Sequence, residues 1–186
     1  MAKNLKEQYH EELELLLPKV KMEYKFWDGS FPNPIKKQYK ISICTTCMNR
    51  LVDIERSLPK NIEDNKDYPN VEFVILDYNT TKDKLGEWVK KEMAEYLESG
   101  KVVYCRTEEP EFYSMTRSRN LAFKCASGDI INNVDADNFT NPGFATYLNR
   151  LAHQMPEKAI FAKGKRMLRG RAGFWKREFM DVLGGY

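Results

Sequence analysis

Short apolar segments alternate with amphipathic segments along most of the chain after Tyr39. Four of the apolar segments predict strands: YKISICTTC, VEFVILDYNT, KVVYCR and GDIINNV. The near-continuous apolar run in the second is typical of a parallel strand buried on both faces. Between these segments, apolar residues at helical spacing predict helices from about Leu51 to Asn65, Lys84 to Ser99 and Met115 to Ser127. This alternation predicts an α/β fold with a mostly parallel sheet flanked by helices.

Two further elements are predicted towards the end of the chain. Apolar residues at helical spacing indicate another helix, and they are Phe144, Tyr147, Leu148 and Leu151. The segment AIFAKG, residues 159–164, predicts a further strand. Together with the four strand–helix units, these elements place the main domain at residues 39–186.

Residues 1–38 form a different part of the chain. Leucines at helical spacing predict an amphipathic helix from about Lys3 to Leu17 that ends near Pro18. The segment from Phe26 to Pro34 is rich in aromatic residues, proline and glycine, which indicates a linker or covering loop. We therefore predict an N-terminal helical extension and linker over residues 1–38. The helix would pack on the main domain or on a second copy, so a homo-oligomer through this helix is one expectation.

Composition and charge restrict the classes of function. A chain of 186 residues with 42 % hydrophobic and 31 % charged residues is typical of a soluble globular protein of one domain with an appendage. Its net charge of +3 is too small to indicate a nucleic-acid partner. No signal peptide precedes residue 30, and no apolar run reaches the length of a membrane span. The expected location is the cytoplasm.

The four cysteines allow two interpretations. Cys44 and Cys47 form a C-x-x-C pair, which could be a redox pair or half of a zinc site. No second C-x-x-C and no histidine pair follows them in the sequence. We favour the interpretation that the cysteines are small apolar residues of a reduced cytosolic protein.

Asp135 and Asp137 directly follow the fourth predicted strand. Ligands of open α/β sheets bind at the carboxyl ends of the strands, where these aspartates are expected. Two close carboxylates repel each other unless a cation neutralises them, and oxygen ligands suit Mg²⁺ or Mn²⁺ together with a substrate diphosphate. The pattern therefore predicts a metal and diphosphate site. An ordinary turn is the alternative, because aspartate and asparagine are common there.

Four motifs follow one another along the chain: Thr-Thr after the first strand, Asp at the end of the second, Arg-x-Arg-Asn-x-Ala on a helix, and Gly-Asp-Ile-Ile before Asp-x-Asp. Their order resembles the nucleotide-sugar-binding half of a glycosyltransferase with the GT-A fold, which is Rossmann-like. More narrowly, the chain is similar to the inverting enzymes of family two over about three quarters of its length. The resemblance implies a metal-dependent transferase that moves a sugar from a nucleotide diphosphate to a hydroxyl acceptor, such as a saccharide.

The resemblance also implies roles for individual residues. The nucleobase would be held by the loop after the first strand and by the aspartate after the second, here Thr45, Thr46 and Asp77. The helix before the acidic turn would bring Arg119 and Asn120 to the diphosphate or base. Asp137 would ligate Mn²⁺ or Mg²⁺ directly and Asp135 would contact the ribose or, through water, the metal, although the order could be reversed.

Physical chemistry supports two of these roles and leaves alternatives open. A carboxylate such as Asp77 can accept the N–H of uracil, which favours a UDP-sugar as the donor. Asp77 could instead cap the next element. The planar guanidinium of Arg119 can donate two parallel hydrogen bonds to a phosphate, whereas an exposed surface arginine is the alternative.

An inverting transfer needs a carboxylate that accepts the proton of the acceptor hydroxyl. In the family, this general base follows a Gly-Gly-Phe/Tyr turn, and the present sequence ends at Gly184-Gly185-Tyr186. The catalytic base is therefore expected beyond Tyr186, and the chain is expected to be truncated. The alternative is a nucleotide-sugar-binding domain without turnover.

Two further features of the sequence need their own interpretation, and the second departs from the family pattern. The segment from Lys163 to Arg177 is basic and contains Phe174 and Trp175, so it could hold an acidic acceptor, a lipid diphosphate or nucleic acid, or could form a solvated face. No nucleic-acid partner is predicted from it. Asn132 and Asn133 replace an apolar pair, and because buried amides need partners, the geometry of the fourth strand is in doubt.

Overall fold

The computed structural model of the chain describes residues 37–162 and 172–186, all of which belong to the unit Asn33–Tyr186. The predicted N-terminal helix and residues 163–171 of the basic segment lie outside the described residues. The domain boundary and the homo-oligomer therefore stay predictions.

The described residues contain strands and helices in alternation. In chain order they are β1 (Ile41–Cys47), α1 (Leu51–Asp64), β2 (Val71–Tyr78), α2 (Leu85–Glu92), α3 (Ala94–Glu98), β3 (Val102–Thr107), α4 (Met115–Cys125), β4 (Ile130–Asn133), α5 (Phe144–Gln154), β5 (Ile160–Phe161), β6 (Gly173–Trp175) and a π-helix (Arg177–Val182). The four predicted strands and the helices that join them are confirmed.

Two predicted elements differ in detail from the structure. The helix predicted from Lys84 to Ser99 is divided at Met93, whose backbone angles of φ −110° and ψ 16° are not helical. Met93 is 5 % exposed and packs into the core, so tertiary packing competes with a continuous helix there. The strand predicted over residues 159–164 is reduced to Ile160–Phe161 within the described residues.

The six strands form one sheet in the order β3-β2-β1-β4-β6-β5. β1 pairs in parallel with both β2 and β4, and β2 pairs in parallel with β3. β6 is antiparallel to β4 and to β5, so the predicted mostly parallel sheet is confirmed. The strand order reverses between β1 and β4, and such a reversal opens a crevice at the carboxyl ends of the strands.

Helices cover both faces of the sheet. β1 and β2 are buried along their whole length, as expected for parallel strands inside a three-layer fold. One face packs against α1, α2 and α5 through a cluster that includes Ile54, Leu58, Leu85, Val89 and Leu148. The other face packs against α4 and the π-helix through a cluster that includes Ala122, Phe123 and Phe179. These layers fix the strand ends that carry the site.

Cys44 and Cys47 are both buried and belong to the two different core clusters. Burial raises the pKa of the Cys47 thiol to about 12 and raises the pKa of Cys44 well above its ordinary value. Because the two side chains face opposite sides of β1, they cannot act together on one disulfide or metal ion. The interpretation of this pair as small core residues is confirmed.

A buried carboxylate ties β2 to the connection between α4 and β4. Glu72 is 2 % exposed and accepts hydrogen bonds from the Ser42 hydroxyl at 2.6 Å, the Ser127 backbone N–H at 2.7 Å and the Ser127 hydroxyl at 2.6 Å. The Lys40 ammonium lies 2.9 Å from it, and the Gly128 N–H donates to Ser42 at 2.8 Å. This network fixes the start of β4, and thus the strand that leads to Asp135.

Candidate functional site

A cavity of about 420 Å³ lies where β1 and β4 end, at the reversal of the strand order. Four of the predicted site residues line it, namely Thr46, Arg119, Asp135 and Asp137. The other lining residues are Met48, Arg50, Tyr113, Met115 and Ala136. The structure thus brings together side chains from the β1 loop, α4 and the turn after β4.

The turn after β4 projects its two carboxylates into this cavity. The backbone N–H of Asn138 donates to the Asp135 carbonyl at 2.9 Å, which closes a four-residue turn. Ala136 between the aspartates is 5 % exposed, and its carbonyl accepts from Ser57 of α1 at 2.6 Å. Because the middle residue is held inward, the side chains of Asp135 and Asp137 remain 44 % and 50 % exposed.

Each carboxylate of this turn lies beside an arginine. The Asp135 carboxylate accepts from Arg119 at 2.9 Å, and the Asp137 carboxylate lies 3.2 Å from a guanidinium nitrogen of Arg50. Arg119 is the better buried of the two, with 19 % of its side chain exposed against 52 % for Arg50. Sequence reasoning missed Arg50, although its place between β1 and α1 was a signal that it would lie at the same edge of the sheet.

The side-chain N–H groups of both asparagines of β4 donate hydrogen bonds, and one of these bonds helps to place Asp135. The Asn132 amide donates to the Ala172 carbonyl at 2.8 Å, and the Asn133 amide donates to the Asp135 carboxylate at 3.0 Å. β4 keeps a regular parallel register with β1 over its whole length. The doubt about the geometry of this strand is therefore resolved in favour of a regular strand.

Thr46 and Tyr113 close one wall of the cavity. Their hydroxyl groups are 2.7 Å apart, and the Tyr113 ring packs edge-on against Tyr78 at a centroid distance of 5.9 Å. Thr45, which precedes Thr46, is buried and does not line the cavity, since successive side chains of a strand point to opposite faces. Sequence reasoning missed Tyr113, because its approach to Thr46 depends on the path of the loop before α4.

Asp77 is the next-to-last residue of β2, and it is completely buried and does not line the cavity. One of its oxygens accepts the backbone N–H of Thr80 at 2.8 Å, in the loop before α2. Asp77 therefore does not cap that helix, which has no side-chain cap. The other accepts from the Tyr104 hydroxyl and from Arg106, both at 2.6 Å. Burial and the bond to Asp77 raise the pKa of Tyr104 to about 12, so its hydroxyl remains a donor. Binding of a base by Asp77 stays a prediction.

Asn120 contacts the Gly-Gly-Tyr motif and is not among the residues that line the cavity. Its side-chain oxygen accepts from the Tyr186 backbone N–H at 3.0 Å, and its amide donates to the Tyr186 carbonyl at 3.4 Å. A Cβ atom at Gly185, where φ is +86°, would lie 2.6 Å from that same oxygen. The Tyr186 ring lies 5.6 Å from the Arg119 guanidinium carbon. The motif is thereby held next to a cavity residue.

Two further observations concern ligands and membranes. Within residues 37–162 and 172–186, no group of three or more histidine, cysteine, aspartate or glutamate side chains is arranged to hold a metal ion. In the same residues, no helix has both the length and the apolar character to cross a membrane.

Comparisons with known proteins identify the relatives of this fold. The sequence model described as Glycosyl transferase family 2 matches residues 42–180. No curated protein matches the chain. Among solved structures, the mannosyltransferase PcManGT from Pyrobaculum calidifontis, in complex with GDP-Man and Mn²⁺, has a TM-score of 0.65 at 22 % identity, with 98 % of this chain and 54 % of that chain covered. S. aureus TarS in complex with UDP-GlcNAc has a TM-score of 0.59 at 16 % identity, with 77 % and 47 % covered. The chain thus spans about half the length of these structures, and the predicted GT-A fold is confirmed.

Proposed function

Because the chain belongs to glycosyl transferase family 2, we propose that it binds a nucleotide-diphosphate sugar in the cavity between β1 and β4 and transfers the sugar to a hydroxyl acceptor. The observation that carries this proposal is the joint position of Thr46, Arg119, Asp135 and Asp137 around one cavity. PcManGT and TarS are both similar in structure to this chain and are seen with nucleotide sugars, GDP-Man and UDP-GlcNAc respectively, which supports a nucleotide sugar as the class of donor.

Arg119 is suited to stabilise the leaving diphosphate. Its side chain is four-fifths buried, and its Nε atom is buried without an acceptor among the described residues, so Arg119 has hydrogen-bonding capacity beyond its bond to Asp135. A guanidinium donates parallel hydrogen bonds that match phosphate oxygens. Donors placed where negative charge develops lower the barrier to departure of the diphosphate.

Asp135 and Asp137 fit a divalent cation. Both carboxylates line the cavity and are about half exposed, so neither is committed to the core. Mg²⁺ and Mn²⁺ are commonly bound through one or two carboxylates, with waters and substrate phosphates as the remaining ligands. We propose that these two aspartates hold such a cation, which when bound supplies positive charge to the diphosphate. Metal dependence is thus part of the proposal.

The proposed donor is a UDP-sugar. Asp77 and Arg106 offer an acceptor and a donor side by side, as the N–H and the carbonyl groups of uracil require. Asp77 uses three hydrogen bonds in this structure, and a carboxylate can accept about four. Because Asp77 is fully buried while 35 % of the Arg106 side chain is exposed, a base would meet Arg106 first.

Inversion at the anomeric carbon is proposed from the family resemblance. A chain that binds the donor without turnover is the second possibility from the sequence. Product analysis distinguishes the two, because transfer or hydrolysis releases free UDP and binding alone does not. The configuration of the released sugar tests inversion.

Isothermal titration calorimetry tests the proposed site. Wild type is titrated with UDP and with GDP, each with and without Mn²⁺, and Asp137→Ala is titrated in parallel. We expect UDP to bind more tightly than GDP, Mn²⁺ to strengthen binding, and the substitution to weaken Mn²⁺-dependent binding by about tenfold or more. Asp181→Ala, on the π-helix and outside this cavity, is the matched control. Equal affinity of Asp137→Ala and wild type for UDP and metal would refute the assignment of the metal site.

A further inference from the structure

Arg50 is the second arginine of the cavity, and it lies between two carboxylates. Its Nε atom is 2.6 Å from the Asp53 carboxylate on α1, and one of its terminal nitrogens is 3.2 Å from the Asp137 carboxylate on the acidic turn. The side chains of Arg50 and Asp137 are both about half exposed. An ion pair between two side chains with this exposure is weak and is readily exchanged for a stronger partner.

The backbone around Arg50 is held firmly, in contrast to its ion pair with Asp137. The preceding residue, Asn49, has a φ of +56°, and its side-chain oxygen accepts the backbone N–H groups of Thr81 and Lys82, both at 2.8 Å. The next residue, Leu51, donates its N–H to Asp83 at 2.9 Å. Because the loops after β1 and β2 are joined on both sides of Arg50, its guanidinium extends into the cavity from a fixed origin.

A diphosphate is the ligand that best fits a guanidinium in this position. Asp53 accepts a hydrogen bond from Nε of Arg50, which leaves the two terminal nitrogens of the guanidinium on the cavity side. One of these nitrogens contacts Asp137. Terminal nitrogens of arginine donate parallel, charge-assisted hydrogen bonds to phosphate oxygens. Arg119 approaches the same cavity from α4, so the two arginines can hold a diphosphate between them.

We propose that Arg50 is a further diphosphate-binding residue and that Asp137 exchanges Arg50 for the divalent cation when the nucleotide sugar binds. This inference rests on the proposed function. Without nucleotide, Arg50 and the cation compete for Asp137. With nucleotide, Asp137 ligates the cation while Arg50 donates to the diphosphate, so Arg50 and the cation both strengthen nucleotide binding. Loss of Arg50 must therefore raise the affinity for the cation alone and lower the affinity for the nucleotide.

Calorimetry of the whole chain measures both affinities. Each variant is titrated with Mn²⁺ alone, and then with UDP in the presence of Mn²⁺, with GDP in parallel as the second probe. For Arg50→Gln we expect Mn²⁺ alone to bind about threefold tighter, because a competing positive charge is removed from Asp137. We expect the nucleotide to bind about tenfold weaker, because a charge-assisted hydrogen bond is lost. Arg50→Lys keeps the charge without the fork, so it should bind Mn²⁺ as wild type does and recover only part of the nucleotide affinity.

Arg56→Gln is the matched control, since Arg56 is an exposed arginine of α1, the helix that follows Arg50, and does not line the cavity. It should leave both affinities unchanged, and far-UV circular dichroism should confirm that all variants are folded. The proposal is overturned if Arg50→Gln weakens both interactions or leaves nucleotide affinity at the wild-type value. Failure of wild type to bind UDP and GDP at all would refute the proposed function, and the role of Arg50 with it. Normal wild-type binding that Arg50→Gln does not alter would refute only the role of Arg50.

Discussion

Replacement of the buried Glu72 by glutamine tests the network that holds β4 in place. The carboxylate accepts three hydrogen bonds from Ser42 and Ser127 and forms an ion pair with Lys40. Burial alone would raise the pKa of Glu72, but the hydrogen bonds from Ser127 and Ser42 outweigh burial and lower this pKa below its ordinary value. The ionised carboxylate is therefore the form that stabilises the folded chain.

The size of the effect follows from the partners that glutamine cannot satisfy. Glutamine keeps one acceptor oxygen, and the serine hydroxyls can rotate to accept from its amide, but the Ser127 backbone N–H or the Lys40 ammonium loses its acceptor. A buried donor without an acceptor costs about 1–3 kcal/mol. The Lys40 side chain is 39 % exposed and can be hydrated, so loss of its ion pair with residue 72 adds little to the fall in stability. We expect Glu72→Gln to lower the free energy of unfolding by about 1–3 kcal/mol, which corresponds to a fall in Tm of roughly 2–12 °C for a chain of this size.

Urea denaturation between pH 7 and pH 3 provides the assay. Because the folded-state pKa of Glu72 lies below its unfolded-state value, the contribution to stability is fully present above the unfolded value and is lost as the pH falls through the folded value. The difference between wild type and Glu72→Gln should thus be largest at pH 7 and should shrink below about pH 4.3. Glu98→Gln, at the exposed end of α3, is the matched control. A loss under about 0.5 kcal/mol at pH 7, or one that does not depend on pH, would refute this reasoning.

Two further substitutions address the edges of the site. Gly185→Ala should weaken the contact of the terminal motif with α4, because its Cβ would lie 2.6 Å from the Asn120 oxygen, and hydrogen exchange at residues 184–186 should accelerate. Gly100→Ala is the control, because Gly100 also has a positive φ but has open space around it. If hydrogen exchange around residue 100 accelerates as much in Gly100→Ala, the effect at residue 185 does not come from the contact with Asn120. Arg106→Gln should lower the free energy of unfolding by about 1–3 kcal/mol in thermal denaturation, because it removes the ion pair of the buried Asp77. Unchanged stability would show that this pair is not stabilising.

Much of the fold was predictable because regular periodicity in the sequence reflects burial. The β2 segment was apolar at nearly every position, and β2 is buried on both faces. A strand that includes β5 was predicted, but β6 and the antiparallel pairing were not, because β6 is only three residues long and carries no period of its own. Gly173 illustrates the missing information: a Cβ there would lie 2.1 Å from the Phe161 ring, a contact between residues twelve positions apart. Such pairing is decided by packing and not by local sequence.

The candidate site was predictable to the extent that strand ends meet at one edge. That rule brought Thr46, Asp135 and Asp137 to the same cavity. The same rule placed Arg50 at this edge but could not show that its side chain enters the cavity, and it could not identify Tyr113, because both side chains depend on the paths of loops. The asparagine of the loop after β1 joins that loop to the one after β2, and the loop before α4 places a tyrosine hydroxyl 2.7 Å from Thr46. Side chains that reach a site from loops need the three-dimensional structure to be found.

The position of Asp77 shows why a single residue in a motif gives an incomplete account of base recognition. The parallel register of β2 and β3 places Arg106 directly opposite Asp77, so the two charges are paired inside the sheet before any ligand arrives. A base that approaches from solvent would compete with this pair: its carbonyl groups can bind the exposed side of Arg106, whereas its N–H reaches Asp77 only if Arg106 moves. Recognition of uracil would therefore be a property of the Asp77–Arg106 pair. Since removal of one partner leaves a buried charge in the core, stability and base affinity should fall together at this position.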